Sequence, residues 1–61
     1  MQKTVVAFLS DRRRVVVVDC PGRPPDPPSY EEFQAAARRT MVAQGTLTEE
    51  EGARAKFVVQ D

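Results

Sequence analysis

Histidine is absent from the 61 residues, and Cys20 is the one cysteine. A tetrahedral zinc site built from Cys and His needs four such ligands, so none can form within one chain. An internal disulfide is excluded for the same reason. Small secreted domains are commonly stapled by four or more cysteines, so a reducing compartment is expected. Long apolar runs are also missing. The longest, Val5-Val6-Ala7-Phe8-Leu9, falls far short of the about 20 residues a membrane helix requires. It is short for a signal-peptide core too, and no small-residue cleavage pattern follows it. A soluble, cytoplasmic protein without membrane contact is therefore expected.

Nor is there an excess of either charge. Nine Lys/Arg balance nine Asp/Glu, which leaves no global field to draw in nucleic acid or anionic lipid. Three glycines provide no Gly-rich phosphate loop. Cys20 has no histidine to activate it as a nucleophile. Glu49-Glu50-Glu51 lacks the spaced oxygen ligands of a calcium loop. With no convergent acid–base set, the chain is not expected to be an enzyme, and neither a cofactor nor a metal is expected.

What remains is one small domain over residues 1–61. A domain of this size hides only ~60% of its unfolded surface, so its core is thin. Residues 3–9 and 14–19 are rich in β-branched and aromatic side chains and predict two strands. The turn formers Ser10-Asp11-Arg12-Arg13 between them suit an antiparallel hairpin. Residues 20–28 hold all five prolines. Proline fixes φ and removes a donor, so this stretch reads as an extended connector.

A helix is predicted over 29–44. Ser29-Tyr30-Glu31-Glu32 fits a capping box, with Pro28 and Phe33 placed as a hydrophobic staple. Tyr30, Phe33, Ala37 and Met41 form an apolar stripe, and Gly45 is a natural stop. Thr48-Glu49-Glu50-Glu51 is a second capping box, preceded by Leu47. Helix is the reading over 48–58, although Phe57-Val58-Val59 favours strand. The fold class is α+β: hairpin, Pro-rich connector, main helix and short second helix. The alternative is a ββαβ order with a third strand at 56–60.

The segment Met41-Val42-Ala43-Gln44-Gly45-Thr46-Leu47-Thr48-Glu49-Glu50-Glu51, followed by Ala53-Arg54-Ala55-Lys56, resembles the SHOCT (short C-terminal) domain. That family carries a helix, a Gly-x-(Ile/Leu)-Thr-Glu-Glu-Glu turn and a second helix rich in Ala and Lys. The likeness covers about the last third of the chain. Gly52 stands where the family has an aromatic residue. The resemblance implies a small interaction or oligomerisation module.

The hairpin carries the functional expectation. A strand with one wet face alternates apolar and polar residues. Here Val5, Ala7 and Leu9 point one way while Thr4, Val6 and Phe8 point the other, and Val15 and Val17 oppose Val16 and Val18. Both faces are apolar, yet one short helix pair can cover only one. Burying about 300–400 Å² more apolar surface would contribute on the order of 8–10 kcal/mol at ~25 cal/mol/Å², comparable with the whole stability of such a chain. The expected function is a non-enzymatic interaction module: an inhibitor, adaptor or accessory subunit. Its partner is another protein chain, either a second copy or a larger protein. Val5, Ala7, Leu9, Val15, Val16, Val17 and Val18 would supply apolar area, and Arg12, Arg13 and Arg14 orientation. Two alternatives remain open. The arginine turn, with Arg38 and Arg39, would suit a small nucleic-acid-binding dimer. Pro27-Pro28-Ser29-Tyr30 matches the PPxY ligand of WW domains, with Phe33 at the spacing of a longer form.

Overall fold

The computed structural model describes residues 1–22 and 28–60. Arg23, Pro24, Pro25, Asp26 and Pro27, most of the predicted proline connector, lie outside the described residues. The elements run β1 (Gln2–Phe8), β2 (Arg13–Asp19), α1 (Tyr30–Ala43), α2 (Glu49–Arg54) and β3 (Lys56–Gln60). They form an α+β fold whose antiparallel sheet has the order β2-β1-β3.

The first two strands form as predicted because the turn chemistry is local. The Leu9 amide donates to the Arg12 carbonyl at 2.8 Å and closes the hairpin. Its register pairs Val5 with Val16, Val6 with Val15 and Phe8 with Arg13. Leu9 itself falls just outside β1.

The capping-box expectation holds in full at Thr48 and in its hydroxyl half at Ser29. The Ser29 hydroxyl accepts from the Glu32 amide at 3.3 Å. At Thr48 the box is complete: the Thr48 hydroxyl accepts from the Glu51 amide at 3.1 Å, and the Glu51 carboxylate accepts from the Thr48 amide at 3.0 Å. Helix α1 ends in a Schellman turn. The Thr46 amide donates to the Met41 carbonyl and the Gly45 amide to the Val42 carbonyl. Gly45 stands at φ 77°, a region that costs an L-residue roughly 1–2 kcal/mol. Gly45→Ala should therefore destabilise the chain by about 1 kcal/mol, and Gly45→Asn by less. Equal urea midpoints for the wild type and both variants would show that the turn does not depend on glycine.

The end of the chain departs from the helical reading of 48–58. Helix α2 stops at Arg54, and Lys56–Gln60 pairs with β1, placing Val58 opposite Val6 and Phe57 opposite Ala7. The physical reason is an open edge. Without β3, β1 has one neighbour, and Phe57 and Val59 have no core to enter. A six-residue helix is too short to hold alone, so the β-branched segment takes the ladder bonds on offer. The Gln34 side chain reinforces this by donating to the Phe57 carbonyl at 2.9 Å.

Helix α1 covers one sheet face, lying across all three strands, and α2 packs on α1. Val5, Val18, Cys20, Phe33 and Ala37 form one half of the core, and Ala7, Met41 and Leu47 the other. Val16, Phe57 and Val59 pack against them half-buried. Tyr30, the first residue of the predicted apolar stripe, stays outside at 54% exposure. Its ring lies under the ammonium of Lys3 in β1, 5.4 Å from the centroid. Gly52 is buried where α2 meets α1. A Cβ there would sit 3.1 Å from a Val42 methyl and 3.3 Å from Arg38 Cγ, so the residue that weakens the helix also permits its close approach.

Candidate functional site

The sheet face opposite the helices is open. Strand alternation places Thr4, Val6 and Phe8 of β1 there, with Arg13, Val15, Val17 and Asp19 of β2 and Lys56, Val58 and Gln60 of β3. The middle residue of the middle strand, Val6, is walled in by its cross-strand neighbours Val15 and Val58 and is 5% exposed. The residues around it are not covered. Val15 is 58% exposed, Val17 59%, Phe8 40% and Val58 36%. Three strands ~4.8 Å apart, rising ~3.4 Å per residue, give this face a footprint of roughly 300 Å². Its apolar part, Phe8, Val15, Val17 and Val58 around Val6, is the middle of that footprint, with Arg13, Lys56, Asp19 and Gln60 toward its ends.

Charge is unevenly placed on it. Phe8 lies between Arg13 and Lys56 across the ladder, and neither cation has an acidic partner among the described residues. At the other end of β2, the Asp19 carboxylate accepts from the Met1 ammonium at 3.1 Å while keeping 66% of its side chain exposed. The face is thus cationic at one end and aliphatic in the middle, and carries the Asp19 carboxylate, paired with the Met1 ammonium, at the β2 corner of the other end.

The structure splits the residues proposed from sequence. Val5 and Ala7 are fully buried and Val18 is 5% exposed, so the chain's own helices take them. Val16 shares their face and packs half-buried on both halves of the core. Leu9 packs half-exposed against Ala7, Met41 and Leu47. Only Val15, Val17 and Arg13 look onto the open face. Phe8 and Val58 were missing from the set. Phe8 was recoverable, since it shares the parity of Val6. Val58 followed only from the alternative order with a third strand at 56–60, because its position depends on β3 joining the sheet.

The three arginines of the turn also separate. The Arg12 guanidinium donates to Asp11 and to Glu51, tying the turn to α2. Arg13 looks onto the open face. Arg14, opposite Ala7, lies on the helix-side register at the sheet edge. Arg38 and Arg39 border a shallow groove between α1 and α2 whose lining includes none of residues 12–14. They do not form one cationic cluster. In the PPxY match, Pro27 lies outside the described residues, Tyr30 is exposed and Phe33 is fully buried in the core.

Glu51 joins two of these features. The Thr48 amide first, and the Arg12 guanidinium second, hold its carboxyl below its ordinary value. A carboxylate with a depressed folded-state pKa stabilises the fold fully above its unfolded value, and this is lost as pH falls through the folded value. Glu51→Gln keeps an oxygen for the cap but removes the charge. The wild type should melt higher than this variant at neutral pH, and the gap should close in acid. A gap independent of pH would mean that the charge contributes nothing.

No family model, curated protein or solved structure matches this chain. No helix among the described residues is long and apolar enough to cross a membrane.

Proposed function

We propose that this chain is a non-enzymatic protein-interaction module that buries the open face of its sheet against another polypeptide surface. The observation carrying this reading is the exposure of Val15 and Val17, at 58% and 59%, beside a sheet whose other face is already filled. Among the described residues no element covers them. The likeness of residues 41–56 to the SHOCT domain agrees with an interaction role. An inhibitor, an adaptor and an accessory subunit all fit such a surface.

The double substitution Val15→Thr/Val17→Thr tests this. Threonine is a good strand former, and exposed positions change stability by about 0.5 kcal/mol or less, so the fold should persist by circular dichroism. Association should be lost, whether seen as concentration-dependent sedimentation of the pure chain or as a stoichiometric complex from its own cell. A folded variant that associates like the wild type would overturn the reading. Val16, by contrast, faces the core, and its substitution would test the fold rather than the surface.

A further inference from the structure

We infer that the partner of the open face is a second copy of this chain, stacked face to face with its strands antiparallel to the first. The inference rests on the function proposed above and names the occupant. The pattern on the face selects the arrangement. Along β2 the outward residues are Arg13, Val15, Val17 and Asp19. Consider a two-fold axis lying between the copies, at right angles to the strands and level with the gap between Val15 and Val17. It sets β2 over β2 with the order reversed. Arg13 then meets Asp19 of the second copy and Val15 meets Val17, and each contact occurs twice, as an isologous interface requires. The alternative axis, parallel to the strands and over β1, sets β2 over β3, so that Arg13 lies over Lys56 of the second copy. Charge therefore chooses between the two stacks.

Aligned sheets pack ~10 Å apart with their strands within about 30°, a gap that facing Arg and Asp side chains can span. In this stack Val58 lies near Gln60 of the second copy, and the exposed valines of both copies form one interior. The footprint of roughly 300 Å² per copy falls below the ~800 Å² per partner of standard interfaces. The dimer should therefore be weak and dissociate on dilution. Pairing through the β2 edge would join the copies without covering Phe8, Val15, Val17 or Val58, so the exposed apolar surface favours stacking.

Sedimentation velocity from about 5 µM to about 1 mM should show the pure chain passing from monomer to dimer. Arg13→Asp and Asp19→Arg should each weaken the dimer about tenfold, because each places like charges together at two symmetric points. Mixing these two variants in equal amounts should restore association, since the mixed pair has opposite charges at both points. Val58→Lys should weaken the stack about tenfold and would leave an edge-paired dimer unchanged. If Val58→Lys fails to fold, Val15→Thr/Val17→Thr separates stack from edge in the same way.

A chain that stays monomeric at 1 mM would overturn the inference. So would single charge variants that dimerise like the wild type, a mixture that fails to recover, or a dimer indifferent to Val58→Lys. If the chain is monomeric but forms a stoichiometric complex lost in Val15→Thr/Val17→Thr, the interaction module stands and only the second copy is rejected. If that complex is absent as well, both readings fall.

Discussion

Phe33→Ala should leave the chain largely unfolded at room temperature. Phe33 is fully buried where α1 meets the sheet, in contact with the half of the core built from Val5, Val18, Cys20 and Ala37. Truncating a buried phenylalanine costs about 3–5 kcal/mol, from lost transfer energy and from the cavity left behind. Stability of roughly 0.05–0.15 kcal/mol per residue gives a chain of this length only about 3–9 kcal/mol in total. The loss is therefore comparable with the whole. Among the described residues no second layer absorbs it, because the core is built from α1, one sheet face, Cys20 and Leu47. Far-UV circular dichroism and urea titration provide the measurement. A cooperative transition within about 1 kcal/mol of wild type would show that this core tolerates the cavity by collapsing around it.

The second large effect comes from the end of the chain. Stopping translation after Ala55 removes β3 and with it Phe57 and Val59, which pack on both halves of the core and on Val5's half, respectively. It also strips β1 of the partner that it pairs with from Thr4 to Phe8. Two half-buried apolar side chains and the lost ladder bonds together amount to at least about 3 kcal/mol. The shortened chain should lose its sigmoidal urea transition. Helix signal should fall together with strand signal in circular dichroism, because α1 is marginal without the sheet it packs on. A truncated chain that melts like the full one would mean that residues 56–60 contribute nothing to the fold, and Val58 would drop out of the proposed interface.

These two experiments bracket what could be read from residue order. The hairpin, the helix beginning at Ser29, the second start at Thr48 and the stop at Gly45 all rest on contacts within about five residues. A hydroxyl three positions before an amide, or a glycine after the last helical turn, acts wherever the chain goes. The excess of apolar surface was also legible, because a run of four valines cannot point only inward. Which valines stay outside was not legible. In a strand of unbroken valine both parities are equally greasy, and the choice falls to whichever face the helices meet. That choice buried Val18 and left Val15 and Val17 in water, and it divided the proposed binding residues accordingly. The arginine turn was separated in the same way, since alternation along β2 sends Arg13 and Arg14 to opposite faces and Glu51 claims Arg12.

Residue order alone sets the local punctuation of this protein and an apolar ribbon that outruns its covering. Both follow from side-chain chemistry and short-range geometry. Tertiary structure alone decided the fate of residues 56–60, the burial of Gly52 against α1, and the pattern of Arg13, Val15, Val17 and Asp19 on one open face. Each depends on a partner far away in the chain: an unfilled edge beside β1, a helix that approaches within 3.1 Å of where a Cβ would stand, or a helix layer that claims one side of the sheet. Strand preference is largely a preference for neighbours, and neighbours exist only once the chain has folded.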